Sequence, residues 1–424
     1  MQTHIILTLT VFALTLFLVL RKPRGLHEAW GTMIGAALML MLGLVTLAQA
    51  WQTVMEGGNV LLFLLALMVL SALLDRAGFF EWAAIHAARA SKGNVRTLYR
   101  NVFILGALTT AILSLDTTAI ILTPIVVSSV QRLKLTAHPF LIACAFVANT
   151  GSLLFPISNL TNLLFQDAFH YSFISFTIFM IAPQVVALFL NYWLFVFLFR
   201  KSICQDFDKK LLPEPTSAIP DRPFFNGALI VLVLVVIGYF SASLYHIHPV
   251  VVAAIGASLL LIWGAMRGQL DKKMTSDLSW SLFPFVIGLF VVIRAVENIG
   301  LATYGAKIIS ATQGPALLQL PLIASATALG SNLINNIPMA LLSVSVLTHA
   351  HAGLLEQYAA LIGCNLGPNL TIAGSLATML VITSARKKGE DISPLEFLRI
   401  GMISTPILVL GSAFVAALVG NFVK

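Results

Sequence analysis

Ten long apolar stretches follow one another along this chain of 424 residues, at about 4–20, 30–47, 59–74, 139–165, 175–199, 226–243, 249–265, 281–297, 356–384 and 398–420. A helix needs about 20 apolar residues to cross the hydrocarbon of a bilayer. Only 10% of the residues are charged and mean hydropathy is +0.94, whereas a soluble domain carries roughly 25% charge. A surface this apolar excludes a soluble enzyme, a nucleic-acid binder and a disordered scaffold. The fold class expected is an all-α polytopic membrane protein. Its three cysteines, Cys144, Cys204 and Cys364, are too few for a disulfide framework.

Two further apolar stretches, 102–130 and 317–348, are interrupted by polar residues at Ser114-Leu-Asp-Thr-Thr118 and Asn332-Leu-Ile-Asn-Asn336. Each is expected to be a re-entrant helical hairpin, because irregular backbone at membrane depth is tolerated only inside protein or beside a water-filled cavity.

The charges test this count. With Arg21, Lys22 and Arg24 inside, the other inside segments are Arg76–Arg100, Arg132–Lys134, Arg200–Arg222, Arg267–Lys273 and Arg386–Arg399. Together they hold 22 of the 25 Lys and Arg residues, leaving Arg294, Lys307 and Lys424 elsewhere. So strong a bias orients the chain with both termini outside. The first stretch has no basic region before it and Arg21-Lys-Pro-Arg24 after it, which is expected of an uncleaved anchor rather than a leader.

The two halves repeat. Gly78 aligns with Gly300, Asp116 with Asn335, and Asn149-Thr-Gly151 with Asn365-Leu-Gly367, at nearly constant offset. The expected organisation is a first repeat over 1–200, a cytoplasmic linker over 201–225 and a second repeat over 226–424. Five crossings per repeat turn the second copy upside down. Inverted repeats mark secondary transporters, whose sites lie near the midplane where helices break.

Four polar breaks are expected to converge. The first hairpin tip offers Asp116, Thr117 and Thr118. The helix at 139–165 breaks around Asn149, Thr150, Ser158, Asn159 and Asn162. The second tip offers Asn332, Asn335 and Asn336, and the helix at 356–384 breaks around Asn365, Asn369, Thr371, Ser375 and Thr378. Helix N-termini at such breaks point partial positive charge into the cavity, while amides and hydroxyls add donors and acceptors. The same residues also serve as glue between membrane helices. Asp116 is the one carboxyl placed at mid-membrane, and an intramembrane acid is a functional residue by default. Arg294 and Glu297, three apart on one helix, are expected to pair. His246/His248 and His349/His351 are read as solvated loop residues, and Cys144 and Cys364 as packing. No metal or other cofactor is called for. No Walker A run and no His-Glu-x-x-His is present, so neither ATPase nor metalloprotease chemistry is supported.

Several segments carry a resemblance: Leu73-Leu-Asp-Arg-Ala-Gly-Phe-Phe-Glu-Trp-Ala-Ala84, Ile121-Leu-Thr-Pro-Ile-Val126, Ser158-Asn-Leu-Thr-Asn162, Asn335-Asn-Ile-Pro338, and Gly363-Cys-Asn-Leu-Gly-Pro368 with Gly374-Ser-Leu-Ala-Thr378. Together they resemble the ArsB-type arsenite efflux permeases of the ion transporter superfamily, over most of the chain. The resemblance implies export of arsenite and antimonite across the bacterial inner membrane in exchange for protons, sometimes with a partner ATPase. It implies two inverted repeats, each with a hairpin and a broken helix. With nucleic acid excluded by composition, the partners expected are the inorganic substrate, protons and membrane lipid. This chain departs from the pattern at three charges: Asn149 and Asn365 stand where the family usually has Asp, and Asn369 where it has Lys. Asp116 remains the candidate for proton coupling. Arsenite, an uncharged trihydroxide at neutral pH, suits a site of hydrogen-bonding groups. The alternatives are another carrier of the superfamily, a sodium–proton antiporter or dicarboxylate-type carrier, and a passive channel.

Overall fold

The computed structural model describes residues 2–270, 278–311 and 314–420, so Lys272, Lys273 and Lys424 of the charge reading lie outside the described residues. Helices carry almost all of it. In chain order they are α1 (Gln2–Arg21), α2 (Glu28–Met41), α3 (Leu47–Glu56), α4 (Gly58–Arg76), α5 (Phe79–Ala90) and α6 (Val95–Leu113). Next come α7 (Leu115–Thr117), a π turn at Thr118–Leu122, α8 (Thr123–Arg132), α9 (His138–Thr150), α10 (Leu160–Phe169), α11 (Phe173–Leu198) and α12 (Arg200–Ile203). The rest are α13 (Arg222–Leu244), α14 (Pro249–Met266), α15 (Leu282–Asn298), α16 (Leu301–Ala311), α17 (Ala316–Ile334), α18 (Asn336–His349), α19 (Leu354–Leu366), α20 (Leu376–Arg386) and α21 (Pro394–Gly420). Seven of the described helices are long and apolar enough to cross a membrane.

The expected spans appear, with three differences. The stretch expected at 30–47 stops at Met41, and α3 starts separately, because Thr46 and Gln49 form a capping box that opens a new helix. The segments after Arg76 and after Gly300, expected as loops, contain the short amphipathic helices α5 and α16. Both follow a glycine in the left-handed region, Gly78 at φ 83° and Gly300 at φ 79°, a conformation glycine adopts without steric cost. The chain thereby turns sharply; α16 leaves α15 at 72°.

Polar links sort the connecting segments into two ends. At the basic end Arg89 bonds Glu214 at 2.6 Å, Arg267 bonds Asp221 at 3.0 Å, Gln131 donates to Glu390 at 2.9 Å, and His138 meets Glu396 at 3.0 Å. At the opposite end Arg294 meets Glu297 at 3.3 Å, as expected, and also Glu56 at 3.4 Å. There too His248 lies 3.5 Å from Asp167, and the Tyr171 hydroxyl donates to Gln357. The segments joined at the basic end are those that the charge bias puts inside.

Each hairpin begins and finishes at one end. In the first, the Thr118 hydroxyl lies 2.8 Å from that of Thr110, so the second arm runs back along α6. In the second, Met339 lies against Gly330 of α17. Apolar packing gains little driving force in hydrocarbon, so small residues and polar links hold such helices together. Gly151 lets the end of α9 press on α6, where a Cβ would come 3.1 Å from Thr110 Cβ and 3.2 Å from Ala107 Cα. Gly367 does the same against α17, where a Cβ would come 2.7 Å from Ala328 O. Four elements therefore bring their interruptions to the middle of the molecule.

Candidate substrate site

Both hairpin tips turn on a non-glycine residue in a backbone region that is nearly glycine-only: Ser114 at φ 130°, ψ 162° and Asn335 at φ 76°, ψ 156°. Such conformations cost about 1–3 kcal/mol and persist where surroundings fix them. Each residue caps the helix it starts, Ser114 Oγ accepting from Thr117 N and Asn335 Oδ1 from Ile337 N, both at 3.4 Å. Ser114 and Asn335 thus hold the same place at their tips, and Asp116 follows Ser114 by two residues as Ile337 follows Asn335.

The broken helices restart in the same manner. Asn159 (φ −150°, ψ 143°) accepts from Thr161 N at 3.2 Å at the start of α10, and Ser375 (φ −140°, ψ 151°) from Thr378 N at 3.1 Å at the start of α20. Extended backbone ahead of each half-helix leaves its first N–H groups free of intrahelical partners.

Behind these restarts lies a lattice of buried amides and hydroxyls. Asn149 Nδ2 donates to Asn369 Oδ1 and to Thr378 Oγ1, each at 3.0 Å, and Asn369 Nδ2 donates to Thr150 Oγ1 at 2.9 Å. Asn365 Oδ1 accepts from Asn159 Nδ2 at 3.0 Å and from the Thr161 hydroxyl, and Asn365 Nδ2 donates to Asn162 Oδ1 at 2.6 Å. Asn162 Nδ2 reaches Ser152 O and Phe155 O, Ser158 donates to Ala111 O, and Thr118 sits on Thr110. Asn332 is saturated: its amide donates to Ala328 O and Gly367 O, and its oxygen accepts from Thr371 N and Oγ1. Asn335 Nδ2 donates to Ala373 O at 3.1 Å. These residues fasten hairpin to break and one half of the chain to the other.

The space they enclose has a different lining. A cavity of about 20 Å³ is bounded by Leu115 and Asp116, Asn159 and Leu160, Asn336 and Ile337, and Leu376 and Ala377. These are the opening residues of four separate half-helices. Asp116, half-buried, also lines a neighbouring cavity of about 70 Å³ with Ser71, Ser114, Thr117 and Ser279, which extends toward the basic end. A water needs about 10–15 Å³ of such space, so the inner cavity takes about one water and the outer one several. Asp116 is the one charged residue of either lining among the described residues. Asn336 Oδ1 is buried with no hydrogen-bond partner, as is Asn149 Oδ1.

Of the residues expected at a site, Asp116, Thr117, Asn159 and Asn336 line these cavities; the others stand in the lattice. Sequence reasoning missed Ser71, whose hydroxyl lies 2.8 Å from that of Thr117, and Ser279. It also missed Gln184, which accepts from Leu153 N and donates to Thr150 O, both at 2.8 Å. An amide beside Pro183, inside the 26-residue apolar helix α11, was an available signal for Gln184.

Discontinuous helices whose broken ends meet around a buried cavity define a membrane transporter. The chain belongs to the arsenical pump membrane protein family, ArsB, whose model matches residues 7–423. It is 33% identical over 420 residues to the arsenical pump membrane protein of Escherichia coli K12, covering 96% of this chain and 97% of that one. It is 28% identical to a putative arsenical pump membrane protein of Bacillus subtilis, over 94% and 96% of the two chains. In fold it is similar to the YdaH transporter of Alcanivorax borkumensis, with a TM-score of 0.61 over 98% of both chains at 16% identity. The protein is a multi-pass protein of the bacterial inner membrane.

Proposed function

We propose that the protein exports arsenite, and antimonite with it, in exchange for protons, and that its two halves are inverted repeats around a shared site. One observation carries this reading: four helix N-termini meet at one buried cavity, and Asp116 joins it to the larger neighbouring one that gives the substrate room. Each N-terminus offers N–H donors and a partial positive charge of roughly half a unit. Asp116 and the unpartnered Asn336 Oδ1 offer acceptors. Arsenite matches both kinds of group. Its oxygens accept from the N–H groups, and its hydroxyls donate to the Asp116 carboxylate and to Asn336. A dicarboxylate anion has no hydrogen to give those two acceptors.

The same geometry supplies an exchange mechanism. The ionised Asp116 accepts from arsenite; once protonated it presents an O–H and holds the substrate less well. Proton and arsenite therefore compete for one carboxyl group, as antiport requires. The lattice keeps the four restarts in register while the cavity opens alternately to each side. Asn149, Thr150, Asn365, Asn369, Ser375 and Thr378 act in this reading by positioning Asn159 and the restart of α20. A partner ATPase is the other energy source that the family resemblance implies.

The test is arsenite accumulation in everted vesicles of cells carrying the protein, with an imposed pH gradient and no nucleotide. Accumulation that collapses with the gradient supports the exchange. Accumulation that needs nucleotide and ignores the gradient overturns it in favour of ATP-driven export, and flux indifferent to both favours a passive channel.

A further inference from the structure

A large cavity in the second half of the chain takes no part in the site. It measures about 590 Å³ and lies between α16 and the two arms α17 and α18. Tyr304 and Ile308 wall it from α16, Leu322 and Ala326 from α17, and Met339 and Leu342 from α18. This is the size of a pocket for a drug-sized molecule, about 300–1,000 Å³. Its deepest polar groups are already occupied: the Thr327 hydroxyl donates to Ala360 O at 3.0 Å, and Ser343 faces Cys364 at 3.8 Å. The groove therefore takes hydrocarbon and holds water poorly. Tyr304, Ile308 and Leu322 are 67%, 67% and 60% exposed, so it opens to whatever surrounds the helices.

At the equivalent place in the first half the cavity between α5 and α8 is smaller, about 210 Å³, and its lining carries the charged residues Glu81, Arg132 and Lys388. There Asn101 Nδ2 of α6 donates to Ala87 O of α5 at 2.9 Å, and Trp82 of α5 packs against Phe225 of α13, with ring centroids 5.3 Å apart. In the second half Gly305 of α16 rests on Val346 of α18, and the space toward α17 stays open.

Charge identifies the occupant. Lys307 stands on α16 with Nζ 5.7 Å from the Tyr304 ring centroid, beside the groove, and is one of three cations outside the basic segments. A cation and a tyrosine on a helix lying across the end of a span form an interfacial anchor for lipid headgroups. We propose that the groove binds one anionic phospholipid, an acyl chain between α16 and the hairpin and its phosphate at Lys307. Its place in the outer leaflet rests on the charge-derived orientation; the binding itself does not depend on the transported substrate. The lipid braces the arms of the hairpin whose tip bears Asn336.

The test is native mass spectrometry of the full chain released from nanodiscs of phosphatidylglycerol and phosphatidylethanolamine. Wild type should retain one phospholipid, phosphatidylglycerol in preference. Ala326→Trp, which fills the groove from an exposed position, should lower retention about tenfold or more. Lys307→Glu, at the surface, should lower phosphatidylglycerol retention about fivefold and spare folding. Leu410→Trp, on the exposed face of α21, should change nothing. Retention equal in wild type and both groove variants would overturn the proposal, as would no retention at all. So would a stable dimer that Ala326→Trp splits, since a second copy would then be the occupant.

Discussion

Asn149 and Asn369, 220 residues apart, are direct partners: Asn149 Nδ2 donates to Asn369 Oδ1 at 3.0 Å. These are the positions where the family resemblance implies an Asp and a Lys. The two departures are therefore one change. The resemblance then implies a buried ion pair exchanged for a neutral amide pair, with the summed charge of the pair unaltered. Buried ion pairs repay their desolvation poorly, so neutral replacements are commonly tolerated. Only the amide at Asn365 removes a charge without a matching loss.

Coupling between the two positions follows. Asn149→Asp alone or Asn369→Lys alone buries an ion without its partner, which costs about 3–5 kcal/mol. The double variant restores the pair and should recover at least half of the lost stability. Thermal unfolding of the four proteins in one detergent gives the double-mutant cycle. Additive losses would mean that the two side chains do not meet in the folded protein.

Asn332 and Asn336, four apart, should separate folding from binding. Asn332→Leu removes four part-buried hydrogen bonds, to Ala328 O, Gly367 O, Thr371 N and Thr371 Oγ1, each worth about 0.5–1.5 kcal/mol. It should lower the melting temperature sharply. Asn336→Leu removes an oxygen that accepts nothing in the protein, so stability should hold while arsenite affinity drops. Calorimetric titration beside melting curves checks both. The reverse pattern would move the site from the inner cavity to the lattice.

The spans, the two hairpins and the two breaks were legible because each is written locally, in hydropathy and in Gly, Pro and Asn interruptions. The short helices α3, α5 and α16 were hidden because each is too short to give a long apolar run. The lattice was hidden for another reason. Asn159, Asn162 and Asn365 look alike in sequence, and their hydrogen-bond partners lie about 200 residues away, where no local pattern records them. The equivalence of Ser114 with Asn335 lies in backbone angles that neither side chain announces.

The orientation is open to direct labelling. In a Cys204→Ser background, cysteines placed at Lys209 and Lys387 should react only with membrane-permeant maleimide in intact cells. Cysteines at His248 and Lys424 should react with the impermeant reagent. Cys144 and Cys364 are buried and should remain silent. Impermeant labelling at Lys387 would reverse the orientation and exchange the two leaflets.

Asp116 is where the proposed exchange is most exposed to test. It stands at the first residues of a half-helix, lines both cavities, and meets no Lys, Arg or His in either lining among the described residues. Asn preserves its shape and one acceptor oxygen but cannot bind or release a proton. In Asp116→Asn, arsenite should still bind, and exchange of labelled for unlabelled arsenite across vesicles should continue. Accumulation driven by a pH gradient should disappear, because no other titratable group lines the cavities to replace it. Asp116→Glu keeps the proton and should retain part of the gradient-driven flux, with the longer side chain weakening affinity in the small inner cavity. The measurement is uptake into everted vesicles at fixed outside pH while the gradient is stepped. Gradient-driven accumulation at the wild-type level in Asp116→Asn would place coupling elsewhere. Loss of binding together with transport would make Asp116 a substrate ligand whose charge, rather than its proton, is required.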